Sequence, residues 1–275
     1  MNRIDTLIVG GASITNSPWF TWADVAIEML DPVETIDVSA KGTGNYFIAL
    51  SCINQIQKLD TNNKNILVMP MFTNIDKFDM YLPQDHTIKF LNEKHVPITL
   101  EGKPARPGQY SFWSTGGHWP LVKGQYLENF YDPGITTVNT ILLFYSLQKL
   151  CDQKSITLFP IFDSNIWCIQ EMDLTAFVNG NSTELKRNNL LDSPVVNSVK
   201  SLLNKHWYVF ESLIDFAINN GYPYYNELHK LHPPSQVHVD WYKKNIEPKL
   251  PFKQQQPSKS FLAKVQEFTE LWNDC

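Results

Sequence analysis

The chain has 275 residues, of which 43% are hydrophobic, and a formal net charge of −5 at pH 7. That length suits one large α/β domain with insertions, or one domain with a small appendage, and folding it buries about three quarters of the surface of the unfolded chain. The acidic charge balance, with no basic patch beyond Lys243 and Lys244, argues against a nucleic-acid partner. No apolar run reaches the roughly 18 residues of a membrane-spanning helix, so we expect no membrane partner. The N-terminus has no signal-peptide pattern, and the sequence therefore predicts a cytoplasmic protein.

The four cysteines match neither a CxxC pair nor a zinc-ligand spacing. Cys52 and Cys151 lie in apolar stretches, which favours buried free thiols in a reducing compartment. The sequence therefore predicts no bound metal and no other cofactor.

Four short apolar runs, each ended by a turn signal, predict strands that are buried on both faces. In chain order, they span residues 6–9, 35–38, 66–72 and 156–159. Apolar residues at helical spacing lie between these runs, over residues 22–29, 47–56 and 138–150. Alternating strands and helices predict βαβ units with right-handed crossovers. We therefore expect a three-layer α/β/α sandwich with a mainly parallel, flavodoxin-like central sheet.

Two segments, residues 79–134 and 170–228, interrupt this alternation and are predicted to be insertions. The first contains charges, prolines and glycines, and its pattern predicts a hairpin around residues 88–100. The second is polar at first, and its pattern then becomes helical over residues 195–218.

The C-terminal part of the chain predicts two more helices. One begins after His232-Pro233-Pro234, with Ser235 as its N-cap. The other spans residues 259–272, after a linker rich in Gln and Pro. We therefore expect an α/β domain over residues 1–250, followed by a linker and C-terminal helix over residues 251–275.

Polar groups follow three of the predicted strands, and ligands bind beyond the carboxyl ends of the strands in an open parallel sheet. Ser13 follows the first strand, Gly42 the second and Asn74 the third. A hydroxyl, a glycine turn with accessible N–H groups and an amide are the parts of acyl transfer: a nucleophile, and donors for an oxyanion. Each residue also has a structural interpretation, as a turn residue, a tight-turn glycine and a helix cap. Gly42 and Gly44 do not form a P-loop, because no Lys-Ser/Thr pair follows them.

Three histidines, His229, His232 and His238, lie close together late in the chain. A neutral imidazole near pH 7 can accept the proton of a serine and return it to a leaving group. With Asp240, the same histidines also allow a metal site, although their spacing matches no closed zinc pattern. His232, which precedes a proline, also allows a purely structural interpretation.

Four short blocks of the sequence resemble, in the right order, the sequence blocks of the SGNH/GDSL hydrolases. They are Gly11-Ala12-Ser13-Ile14-Thr15-Asn16-Ser17, then Ile36-Asp37 followed five residues later by Gly42, then Thr73-Asn74, and finally His232-Pro233. The resemblance covers the chain from residue 4 to about residue 250, apart from the insertions. It implies that Ser13 is the nucleophile and His232 the general base. It also implies that the oxyanion hole is built from the N–H groups of Ser13 and Gly42 and the Asn74 amide.

The chain departs from the family pattern at two positions. Ala12 replaces an Asp that is not the nucleophile, which is a mild change. His229 stands where the family places an Asp that orients the base, and losing that acid reduces turnover by about 10⁴ in a related triad. Candidates to orient His232 are then His229 itself, Glu227 or a backbone carbonyl.

The resemblance implies a serine esterase, or more narrowly a carbohydrate O-deacetylase, that acts through an acyl-enzyme on an acylated small molecule or carbohydrate. Trp113, His118 and Trp119 are candidates for a substrate wall, or else they pack the insertion. Phe112-Trp113 and the long insertion are similar to SGNH-like proteins encoded by bacteriophages. The alternative is therefore a catalytically weak or inactive virion structural or glycan-binding protein, located in the virion and assembled there or as a homo-oligomer.

Overall fold

The computed structural model describes most of the chain. The described residues are 3–62, 64–73, 75, 79–82, 99–101, 111–114, 132–171, 186–208, 211–222 and 232–274.

A parallel sheet forms the centre of the molecule. Its strands are β1 (Thr6–Gly10), β2 (Glu34–Asp37) and β3 (Ile66–Phe72), with two short strands, β6 (Thr157–Leu158) and β7 (Ile161–Phe162), that both pair with β3. The spatial order is β2, β1, β3, β6, so β1 lies between its two neighbours. The predicted fourth strand, residues 156–159, contains β6, whereas β7 was not predicted. Pro160, which has no N–H group to donate to the ladder, separates the two strands.

Helices cover both faces of the sheet. They are α1 (Trp22–Leu30), α2 (Asn45–Lys58), α3 (Pro133–Gln153), α4 (Pro194–Asn197), α5 (Leu213–Asn219), α6 (Ser235–Trp241) and α7 (Lys259–Asp274). Leu7 and Val9 of β1 pack on the side of α1, α5, α6 and α7, whereas Ile8 packs with α2 and α3. Because successive residues of a strand point to opposite faces, β1 and β3 are buried on both. The three-layer α/β/α arrangement with a mainly parallel sheet is confirmed.

The helices α1, α2 and α3 occupy the predicted helical segments. A capping box between Thr21 and Asp24 begins α1, and the Asp132 carboxylate accepts the Ile135 N–H at the start of α3. Cys52 on α2 and Cys151 on α3 are buried free thiols, as predicted. Burial raises the pKa of both, that of Cys151 to about 12, so neither thiol ionises near neutral pH.

The continuous helix predicted over residues 195–218 is wrong. The chain instead forms α4 and short 3₁₀ turns on the side of α3, and α5 on the opposite face of the sheet. Gln148 of α3, buried in the core, accepts hydrogen bonds from the Asn204 N–H at 3.1 Å and from Trp207 Nε1 at 2.9 Å. These tertiary contacts replace the regular i→i−4 pattern of a helix.

The N-cap predicted at Ser235 is also wrong. The N-cap of α6 is Pro234, in an extended conformation, and Ser235 is the first helical residue. The Ser235 hydroxyl is buried and has no hydrogen-bond partner within the described residues. The acceptor that serves the first turn of α6 comes from another helix, because Thr269 Oγ1 of α7 accepts the Gln236 N–H at 3.0 Å.

Two short antiparallel pairs lie outside the central sheet. The strand β4 (Asp79–Leu82) pairs with β5 (Ser111–Ser114), and β8 (Cys168–Glu171) pairs with β9 (Lys186–Asn189). The hairpin predicted around residues 88–100 lies almost entirely outside the described residues. Within the described part of the chain, no helix combines the length and the apolar character needed to cross a bilayer.

Candidate active site

Ser13 lies in a tight turn just beyond the end of β1. The N–H groups of Thr15 and Asn16 both donate to the carbonyl of Ala12, at 3.0 and 2.9 Å, and Ser13 itself is half-buried. We call Ala12–Asn16 the Ser13 turn. It presents a hydroxyl at the carboxyl edge of the sheet, where the sequence predicted one.

The two glycines before this turn are required by close packing. A methyl group on Gly11 would lie 1.9 Å from Thr15 Oγ1, and one on Gly10 would lie 2.9 Å from Cys52 Sγ. Neither glycine has a positive φ, so space rather than backbone conformation selects them. This requirement was not evident from the sequence, because both partners are identified only by the fold.

Hydrogen bonds connect the Ser13 turn to the loop after β2. The Ala40 N–H donates to the Gly11 carbonyl at 3.0 Å, and Asn16 Nδ2 donates to the Ser39 carbonyl at 3.0 Å. The buried Thr43 hydroxyl donates to the Ala40 carbonyl at 2.8 Å, which closes the turn around Gly42. Gly42 has a φ of 77°, a conformation that favours glycine. The structure therefore brings the Ser13 and Gly42 turns together and gives Gly42 at least a conformational role.

The end of β3 is held by a buried asparagine that sequence reasoning did not single out. Asn45, the first residue of α2, donates from Nδ2 to the Thr73 carbonyl and accepts the Thr73 N–H at Oδ1, both at 2.8 Å. A side-chain amide thereby satisfies both backbone groups of Thr73. Asn74, the predicted oxyanion donor, lies outside the described residues. No local pattern marks Asn45, because its partner is 28 residues away.

The two described histidines of the late segment differ in burial and in hydrogen bonding. His232 is half-buried, and its carbonyl accepts Trp272 Nε1 at 2.9 Å. His238 is buried on α6, and its Nδ1 accepts the Trp22 N–H at 3.1 Å. Burial and the nearby charge of His232 lower the pKa of His238 to about 3, against a backbone hydrogen bond with Pro233 that raises it. His238 is therefore a neutral, structural histidine at neutral pH, and His232 remains the candidate base.

A chain of hydrogen bonds connects the Ser13 turn to the histidine segment. Trp22 Nε1 donates to Thr15 Oγ1 at 3.0 Å, while the Trp22 backbone N–H donates to His238. The Thr21 hydroxyl adds a second bond to the same turn, donating to the Thr15 carbonyl at 3.1 Å. Two segments separated by more than 200 residues are thus attached to the same helix N-terminus, that of α1.

Two of the four side chains in the metal-site interpretation, those of His238 and Asp240, make other contacts, and His229 lies outside the described residues. His238 Nδ1 is occupied by Trp22, and Asp240 accepts hydrogen bonds from the Tyr222 hydroxyl at 2.6 Å and from Gln236 Nε2 at 2.8 Å. Among the described residues, no group of three or more His, Cys, Asp or Glu side chains is arranged to hold a metal ion.

Several predicted site residues fall outside what the structure describes. His229, Glu227, His118 and Trp119 are not among the described residues, and Trp113 is described only as part of the β5 backbone. Their assignments as orienting or substrate-binding residues stay predictions.

One carboxylate at the same edge of the sheet, that of Asp163, was not among the site residues predicted from the sequence. Asp163 follows β7 directly, is only 3% exposed, and donates its N–H to the Phe72 carbonyl of β3. Its Oδ1 accepts the Ser164 hydroxyl at 2.8 Å. The sequence does not mark Asp163 as the residue after a strand, because β7 is only two residues long and was not among the predicted strands.

Comparison with protein-family models, with curated proteins and with solved structures gave no match to this chain.

Proposed function

We propose that this protein is a serine esterase of the SGNH/GDSL type, acting on an acylated small molecule or on a carbohydrate as an O-deacetylase. The observation that carries the proposal is that the Ser13 turn and α6 are both hydrogen-bonded to Trp22 at the N-terminus of α1, through Thr15 and His238. A parallel sheet of order β2, β1, β3 with its glycine turns at one edge provides the setting that such chemistry uses.

In the proposed reaction, Ser13 Oγ attacks the ester carbonyl carbon while His232 takes the hydroxyl proton. The tetrahedral oxyanion accepts hydrogen bonds from the N–H groups of Ser13 and Gly42 and from the Asn74 amide. Collapse of this intermediate breaks the ester C–O bond, and His232 returns its proton to the departing alcohol. Water, deprotonated by His232, then attacks the acyl carbonyl carbon. The bond between that carbon and Ser13 Oγ breaks, His232 returns the proton to Oγ, and the acid is released. Each oxyanion donor contributes a factor of about 10²–10³ in turnover.

The position of Asp240 bears on how His232 is oriented. Both of its carboxylate oxygens already accept hydrogen bonds, from Tyr222 and Gln236. The candidates for the orienting group in this proposal are His229, Glu227 or a backbone carbonyl.

Hydrolysis of p-nitrophenyl acetate by the wild type, Ser13→Ala and Ser17→Ala tests the proposal. Ser17 is the matched control, because it is a half-buried serine on the same loop. We expect Ser13→Ala to reduce kcat by at least about 10³-fold, as loss of a serine nucleophile does, and Ser17→Ala to leave it within two-fold. A fluorophosphonate probe should label the wild type and not Ser13→Ala. Equal hydrolysis by wild type and Ser13→Ala would end the proposal.

A non-catalytic glycan-binding or virion protein is the second candidate. The substitution of His229 for the family's Asp, together with the existing hydrogen bonds of Asp240, favours it. Binding on an array of acetylated glycans without Ser13-dependent release of acetate would select this candidate over the esterase.

A further inference from the structure

The C-terminal helix α7 packs against the segment that leads from the Ser13 turn into α1. Phe20 meets the rings of Phe261 and Phe268 edge to face, both with ring centroids 5.3 Å apart, and Trp19 meets Phe268 at 6.1 Å. Phe261 and Val265 belong to the hydrophobic core on the α1 side of the sheet. The helix is therefore part of the packed domain, on the side where the candidate site lies.

The same helix makes two polar contacts with the histidine segment. Trp272 Nε1 donates to the His232 carbonyl at 2.9 Å. Thr269 Oγ1 accepts the Gln236 N–H at 3.0 Å and donates to the Val265 carbonyl of its own helix at 2.8 Å. One contact is thus on the backbone of the candidate base, and the other is on the first turn of the helix that follows it.

The Thr269 contact replaces a cap that α6 lacks. Pro234, the N-cap residue, makes no side-chain capping bond, and the buried Ser235 hydroxyl has no partner within the described residues. A capping side chain normally satisfies a first-turn N–H from within the same segment. Here the acceptor belongs to α7, so the start of α6 depends on where α7 lies.

The linker before α7 is itself fixed. Gln255 donates from its backbone N–H to the Met29 carbonyl and from Nε2 to the Glu28 carbonyl, both at 2.8 Å. The Ser258 N–H donates to the Glu28 carboxylate at 2.8 Å. The last turn of α1 thereby holds the linker, which sets the position of α7 relative to the helix whose N-terminus is hydrogen-bonded to the Ser13 turn.

We propose that Thr269 and Trp272 of α7 are positioning residues, which hold the backbone at Gln236 and His232 so that the His232 imidazole faces the Ser13 turn. This inference rests on the proposed function, and it extends the candidate site to a helix beyond the SGNH-like blocks. Neither residue contacts the substrate. Their effect is on the orientation of the base, and therefore on kcat rather than on KM.

Two substitutions and two controls test the inference. Thr269→Val removes the hydroxyl at nearly constant volume, and Thr269→Ser restores it. Trp272→Phe removes the indole N–H and keeps an aromatic ring. Phe261→Leu is the packing control, because it reduces a buried ring on the same helix without touching either contact to the histidine segment.

We expect Thr269→Val and Trp272→Phe each to lower kcat for p-nitrophenyl acetate about ten-fold with KM unchanged, which is less than the roughly 10²-fold loss from a 1 Å misplacement. Thr269→Ser should recover wild-type kcat. Phe261→Leu should unfold at a lower denaturant concentration and keep kcat within two-fold. Equal kcat for Thr269→Val and Thr269→Ser, or an equal loss in Phe261→Leu, would overturn the inference.

A second measurement separates this inference from the proposed function. The ring ¹H–¹³C signal of His232 is assigned in NMR spectra by its loss in His232→Gln. Thr269→Val and Trp272→Phe should shift that signal, whereas Thr269→Ser and Phe261→Leu should not. If the wild type shows no Ser13-dependent hydrolysis, the esterase proposal fails and the NMR result alone decides the positioning role. An unshifted His232 signal in Thr269→Val and Trp272→Phe would refute that role.

Discussion

The contact between Gly10 and Cys52 allows a double-mutant test of how the candidate site is packed. Gly10 ends β1, three residues before Ser13, and a methyl group added to it would lie 2.9 Å from Cys52 Sγ. The next nearest atoms, on Val38 and Ile48, would lie at 3.5 and 3.6 Å, which are ordinary contact distances. Among the described residues, only the Cys52 sulfur would therefore be too close to an alanine at this position.

The expected free energies follow from these distances. Gly10→Ala should cost about 1–3 kcal/mol for overpacking. An alanine in a strand returns about 0.5–1 kcal/mol relative to glycine. Cys52→Ala removes one fully buried atom and should cost about 1 kcal/mol. In the double variant the overpacking disappears, so its stability should fall within about 0.5 kcal/mol of the wild type, and the two changes should be coupled by about 1–3 kcal/mol.

Urea denaturation of the four proteins, with m-values compared, measures this coupling. Independent sites add within about 0.3–0.5 kcal/mol, so the predicted coupling is outside that range. Additive losses in the double variant would refute the packing argument for Gly10.

Two further predictions concern His238 and Asn45. Burial lowers the pKa of His238 to about 3, below its usual 6.5, so as pH falls from 6.5 towards 3 the unfolded state binds a proton that the folded state does not. The free energy of unfolding should therefore fall by about 1.4 kcal/mol per pH unit in that window. In His238→Asn, the Asn Oδ1 can still accept the Trp22 N–H, and the free energy of unfolding measured in urea should lack this pH dependence. Asn45→Ala leaves two backbone groups of Thr73 without partners and should cost about 2–4 kcal/mol by the same assay. The exposed Asn62→Ala should stay within about 0.5 kcal/mol of the wild type, and an equal loss in both would contradict the role of Asn45.

The sheet and its first helices were predictable because their signal is local. The runs that became β1 and β3 are short, apolar and bounded by turn residues, and residues of both pack on the two faces of the sheet. The same pattern misled over residues 195–218, where apolar spacing is nearly helical. There, the Gln148 side chain of α3 accepts a hydrogen bond from the Asn204 N–H. A partner 56 residues away in the sequence cannot be predicted from the local pattern.

The candidate site was predictable only in part, for the same reason. The position of Ser13 follows from the end of a strand, and that of Gly42 from a turn. The contacts that hold this edge of the sheet come from three polar residues that are ordinary by sequence. Asn16 joins the two turns, Thr43 closes the Gly42 turn, and Asn45 holds the end of β3. Ser235 shows the limit most clearly: a serine after two prolines has the pattern of an N-cap, yet the acceptor for the first turn of α6 is Thr269 of α7.

The candidate base is fixed through its backbone from two sides. His238 connects α6 to the N-terminus of α1, while Thr269 and Trp272 connect the same segment to α7. A catalytic histidine is usually oriented by a carboxylate on its ring, and this chain has His229 where the resembling family has that Asp. An imidazole has few rotatable bonds, so a backbone held at residues 232 and 236 restricts where the ring of His232 points. We therefore expect helix packing to provide much of the orientation of His232 that a carboxylate would otherwise provide. In the proposed reaction, α7 is then as important as any residue that contacts the His232 imidazole.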